Sequence, residues 1–114
     1  MNHDDAEDLA RLELSKIEQG SDLELVLLPD ETQEHPFGWV FFYQSRAYAE
    51  SGDFKDQLVG NAPFIIDRNT RKITHLGTAE SPEFYIHRYS QTGDPFSKNL
   101  SYLLLRLRKI LQRR

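Results

Sequence analysis

With 114 residues, 39% of them apolar and 28% charged, the chain has room for one domain around one core and the composition of an ordinary globular protein. No apolar run approaches the roughly 18 residues that a membrane span requires, and the acidic start Met1-Asn2-His3-Asp4-Asp5 lacks the apolar stretch of a secretory signal. The absence of cysteine excludes disulfides, thiolate metal sites and thiol nucleophiles, and together these features point to a cytoplasmic protein.

A net charge of −4 conceals an asymmetry. Residues 1–34 hold eleven acids against Arg11 and Lys16, a sum of −9, whereas residues 98–114 hold six bases and no acid. Two readings follow. The two ends neutralise each other within the fold, or each offers a charged surface that steers a partner.

In chain order, residues 4–19 read as a helix. Ala6, Leu9, Ala10, Leu14 and Ile17 make one apolar stripe, acids crowd the first turn and Gly20 is a stop. Leu12 lies off the stripe. Residues 23–28 form a short apolar strand closed by Pro29, and residues 29–37, with two prolines and three acids, form a loop. Residues 38–45 are the most β-prone stretch, aromatic and β-branched on both faces, which suits a central strand. Residues 46–50 either continue that strand or bend away before the turn Ser51-Gly52-Asp53.

Residues 63–67 make a strand whose proline stands first, where no ladder donor is lost. Residues 68–71 turn, and residues 72–77 alternate as the second strand of a hairpin. Ser81 as N-cap and Pro82 at the first helical position open a helix that Phe84, Tyr85 and Tyr89 anchor and Gly93 ends. From Ser97 or Asn99 to the end, Leu100, Leu103, Leu104, Leu107, Ile110 and Leu111 define a basic amphipathic helix. The expected architecture is α+β: an antiparallel sheet of about four strands packed by N-terminal, middle and C-terminal helices, in one domain over residues 1–114.

No catalytic grouping emerges from these residues. His87 lies four residues after Glu83 on one helix, but no further ligand spacing supports a metal, so none is assigned. Ser45, Ser51 and Ser81 lack the strained elbow of a nucleophile, and the stretch Leu58-Val59-Gly60-Asn61 has one glycine where a phosphate cradle needs several. The C-terminal helix is either core or a surface for a protein partner, which leaves a homodimer open. The acidity of the rest of the chain disfavours nucleic acid, and neither nucleic acid nor membrane is expected as a partner.

Three segments carry a resemblance. Trp39-Val40-Phe41-Phe42-Tyr43-Gln44-Ser45, then the run from Leu58-Val59-Gly60-Asn61-Ala62-Pro63 to Asp67, then Ile73-Thr74-His75-Leu76-Gly77-Thr78-Ala79 resemble the immunity protein 35 family of YrhB-type small bacterial proteins. Its members similarly show W-x-F-x-Y-x-S, G-N-x-P and G-T-A, and Tyr85 to Tyr89 is similar to their Y-I-x-x-Y segment. The similarity covers roughly residues 36–92. It implies a bacterial cytoplasmic protein, often encoded with a polymorphic toxin that it neutralises by direct binding. Some relatives have instead been regarded as heat-stable, chaperone-like proteins.

The family brings no catalytic residue and no cofactor. Its motif residues look structural here: Trp39, Phe41 and Tyr43 for the core, Gly60 and Asn61 for a turn, Pro63 for a strand start, and Gly77 after the hairpin. Where relatives often carry Thr-Gly in the hairpin turn, this chain has Thr70-Arg71. Arginine is strained at positive φ, so a longer turn or another type is expected. The expected function is therefore non-enzymatic binding of a basic toxin domain, such as a nuclease, through exposed loop acids, chiefly Asp30, Glu31, Glu34 and Asp53. The alternative is a stress protein that binds exposed apolar segments.

Overall fold

The computed structural model describes residues 1–97. The basic helix expected beyond Ser97 lies outside the described residues. The fold is α+β, as the sequence leads one to expect, with two antiparallel sheets and three α-helices among the described residues. The described residues fall into two compact units, 1–78 and 79–97.

In the first unit, α1 spans His3–Glu18. Asn2 starts it with a capping box: its side chain accepts from the Asp5 amide at 2.9 Å, and its own amide donates to the Asp5 carboxylate. Strands follow at Leu25–Leu27 (β1), Gln33–His35 (β2), Gly38–Phe41 (β3), Tyr43–Ser45 (β4), Phe64–Asp67 (β5) and Ile73–His75 (β6). A six-residue helix, Arg46–Ser51 (α2), follows β4, and single 3-10 turns occupy Pro29–Glu31 and Phe54–Asp56. The larger sheet has the order β2-β3-β5-β6, and β1 pairs with β4 in a sheet of two.

The four-stranded sheet differs from expectation in its membership. The polar stretch 33–35, expected as loop, is an edge strand, and the apolar strand β1 belongs to the small sheet. The β-prone run 38–45 is split at Phe42. Its first half pairs with β5 as far as Phe41↔Phe64. The next residue on that partner is Pro63, which has no amide to continue the ladder, so the chain leaves and pairs Tyr43 and Ser45 with Leu27 and Leu25 instead.

One face of the sheet presents Trp39, Phe41, Phe64 and Ile66, all almost wholly buried. On this face lie Ala6, Ala10 and Leu14 of α1, together with Leu25, Leu27 and Tyr43, as one core cluster. Each large side chain buried there contributes on the order of 1.5–3 kcal/mol, and the two alanines let the helix backbone approach closely. Leu12, off the stripe, is exposed. Val40 and Ile65, on the other face, are also fully buried.

Gly38 was not singled out in the sequence, yet it is the most constrained glycine of the sheet. It sits opposite Asp67 with φ +147°, and a Cβ there would lie 2.1 Å from the Ile66 carbonyl oxygen. The β5–β6 hairpin turns through residues 68–71, with the Asp67 carboxylate accepting from the amides of Asn69 and Thr70. Arg71 does not avoid a positive φ here. Arg71 itself takes φ 62° and donates its amide to the Asp67 carbonyl at 2.9 Å, so arginine occupies the left-handed position that favours glycine.

In the second unit, α3 spans Pro82–Thr92 with Ser81 as N-cap, accepting from the Phe84 amide, and Gly93 ends it at φ 75°. Within it, the Arg88 guanidinium lies 4.5 Å from the Phe84 ring centre and donates to the Pro95 carbonyl.

Candidate partner-binding surface

The acids expected to meet a partner fall into two local structures. Asp30 and Glu31 lie on the 3-10 turn between β1 and β2, both exposed, and their carboxylates have no hydrogen bond or ion pair among the described residues. Glu34 follows on edge strand β2, opposite Trp39. Its carboxylate is already engaged: Arg68 donates to it at 3.0 Å and to the His35 carbonyl at 2.9 Å while stacking 4.5 Å from the Trp39 ring centre. Asp53 is separate from these three. It caps the second 3-10 turn by accepting from the Lys55 amide at 3.0 Å. Of these four, Asp30 and Glu31 carry unpaired carboxylates, whereas Glu34 and Asp53 hold local structure.

The motif residues converge on the segment that follows α2. From buried β4, the side-chain amide of Gln44 accepts from the Leu58 amide at 2.6 Å and donates to the Leu58 carbonyl at 3.3 Å. The Ser45 hydroxyl donates to the Asp56 carbonyl at 2.6 Å, and Asn61 donates to the Tyr43 carbonyl at 2.8 Å. Gly60 supplies the bend at φ 83°, and buried Pro63 accepts from the Leu76 amide. Gly77 follows β6, half-buried and without a positive φ. Beside this segment is a groove of about 330 Å³, bordered by Ile17, Leu23, Leu25, Tyr43, Val59 and Gly60. Sequence reasoning passed over Gln44 and Val59. The available signal was a lone amide side chain inside an otherwise apolar strand, and a valine next to a turn glycine.

Three titratable groups join the core elements. Glu13 of α1 and His75 of β6 meet at 2.5 Å, joining helix to edge strand. Burial, and secondarily the Glu13 carboxylate, push the Tyr43 phenol pKa up. Each serine considered as a nucleophile is occupied. Ser45 also accepts from the Tyr48 amide as N-cap of α2, Ser51 donates to the Asp56 carboxylate, and Ser81 caps α3. His3, the first residue of α1, edges onto Trp39 at 6.5 Å between ring centres. With Asp4 and Glu7 it brings three ligand atoms within 4.8 Å, a surface cluster on one helical turn. Among the described residues no helix is long and apolar enough to cross a membrane.

A helix laid over an antiparallel sheet, an aromatic core built on the W-x-F-x-Y run and a G-N-x-P bend fastened to the adjoining strand make this an α+β protein carrying the motifs of one family: the chain belongs to the immunity protein 35 family, whose profile matches residues 4–92. It is also similar to a relative named as uncharacterized protein YrhB, from Escherichia coli (strain K12). The two are 46% identical over 52 residues, which is 46% of this chain and 55% of that one. The chain thus matches about half the length of this curated relative. No solved structure matches the chain. The chaperone-like alternative gains nothing from either comparison.

Proposed function

We propose that this protein is a bacterial immunity protein that acts in the cytoplasm by binding and neutralising a cognate toxin, without catalysis of its own. The observation that carries this reading is the family match, which runs from the first turn of α1 through all six strands to the end of α3. The proposed partner is a basic toxin domain, such as a nuclease. The acidic first third of the chain supports that charge, as do the unpaired carboxylates of Asp30 and Glu31. Exposed acids of this kind act mainly on the rate of encounter, and Glu34 and Asp53 are the further proposed contacts.

The experiment identifies the gene beside this protein's own, where a toxin domain is expected, and co-expresses that domain with this protein. Cells that make both are expected to grow, and cells that make the toxin alone are not. A toxin equally lethal in the presence of this protein contradicts the reading. For the acidic surface, Asp30→Lys with Glu31→Lys is expected to slow association and flatten its salt dependence, with the unfolding transition unchanged. Unaltered association kinetics at every salt concentration would remove these residues from the interface.

A further inference from the structure

Apolar side chains on a connecting segment ordinarily turn inward, because burying one contributes about 1.5–3 kcal/mol. The segment 53–61 holds two of them out: Phe54 is 82% exposed and Val59 87% exposed. Nor is this segment loosely attached. Four side-chain-to-backbone hydrogen bonds, two from Gln44 and one each from Ser45 and Asn61, tie it to β4. Gln44 and Ser45 are themselves buried. Leu58 is thereby turned towards the core and Val59 fixed at the mouth of the groove, with Leu23, 47% exposed, also on its rim. A volume of about 330 Å³ falls at the lower end for sites that enclose a ligand group.

Charge says what kind of occupant fits. Along residues 17–25 the groove-lining Ile17, Gly20, Ser21, Leu23 and Leu25 are interleaved with Glu18, Asp22 and Glu24. Asp22 is exposed and has no ion pair among the described residues. Glu24 is engaged by Arg46 at 2.7 Å and Glu18 accepts from the Leu25 amide at 2.8 Å, which leaves Asp22 as the open carboxylate of the three. The site is a largely apolar slot, and exposed Asp22 stands between two of its lining residues, Ser21 and Leu23. A second copy of the chain presenting the same patch about a two-fold axis would set acid against acid.

We infer that this groove anchors a basic segment of a polypeptide partner: one aliphatic or aromatic side chain enters between Leu23 and Val59, and a lysine or arginine beside it lies against Asp22. The toxin as the source of that segment rests on the proposed immunity function; the slot and its chemistry do not. Anchors of this kind, fixed before binding and ringed by polar groups, govern the lifetime of a complex more than its rate of formation.

The test uses the full chain, isotope-labelled, and three blocked heptapeptides: a leucine flanked by three lysines on each side, the same with serine for leucine, and the same with glutamates for lysines. The leucine–lysine peptide is expected to shift the amides of Leu23, Val59 and Gly60, and to bind at least about tenfold more tightly than the serine peptide. The glutamate peptide is expected not to bind. No shift, shifts elsewhere, equal binding by the serine or glutamate peptide, or shifts that follow protein concentration alone (a second copy in the groove) would overturn the inference.

In the co-expression assay, Val59→Asp and Leu23→Ser, both at exposed positions, are expected to lose protection while keeping the wild-type unfolding transition. Protection by both variants as strong as wild type sinks the groove as the toxin anchor and leaves the immunity reading intact. Failure of the wild-type chain to protect sinks that reading, and the peptides then decide the groove by themselves.

Discussion

Gln44 grips Leu58 at both backbone groups, fourteen residues away in sequence, through one side-chain amide. The same Oε1 also accepts from the Ser45 amide at 2.9 Å, so a single buried side chain satisfies three main-chain groups. An amide in an apolar strand is tolerated only when it is paired this fully. Gln44→Leu keeps the volume and leaves the Leu58 and Ser45 groups unpaired. It is expected to destabilise the protein by about 2–3 kcal/mol in urea unfolding and to speed hydrogen exchange at Leu58 selectively. A variant as stable as wild type would show that the segment is held by packing alone.

Arg71 offers a gain rather than a loss. Its φ of 62° places an L-residue where the Cβ crowds the following carbonyl, and the side chain is exposed. Arg71→Gly is expected to stabilise the hairpin by about 1 kcal/mol, part of the relief being offset by the larger entropy of an unfolded glycine. The thermal midpoint checks this, with Arg71→Ala as the control that should not gain.

Tyr43 links stability to alkaline pH. Burial first, and the Glu13 carboxylate second, raise its phenol pKa in the folded state above the ordinary value near 10. Folding therefore favours the neutral phenol. Its contribution is fully present below about pH 10 and is lost as pH rises through the raised folded value. In Tyr43→Phe that part of the alkaline loss disappears, so the difference between wild type and variant is flat at neutral pH and falls above about pH 10. Parallel pH curves for the two proteins would contradict it.

Much of this was legible in the sequence because local and tertiary signals agreed. The stripe Ala6, Ala10, Leu14 is the buried face of α1, and Ser81-Pro82 begins α3 where cap chemistry requires. What was misread depends on pairing. Gln33, Glu34 and His35 have no strand-like pattern of their own and become a strand because β3 offers an edge. The aromatic run appears continuous until Pro63, twenty residues on, interrupts its partner. For α2 the signals existed, Ser45 as cap and Gly52 as left-handed stop around two alanines, but the β-prone run before it masked them. The groove was the least legible of all, because its walls are brought together from α1, β1, β4 and the segment after α2.

Direct titration tests the central claim, neutralisation by binding, most closely. The purified 114-residue chain is added to the purified toxin domain expected beside its gene, and toxin activity is followed together with co-elution. The account predicts a stable complex and complete loss of activity at one equivalent. Toxin activity that persists at a large excess of this protein, with the two eluting apart, would contradict it.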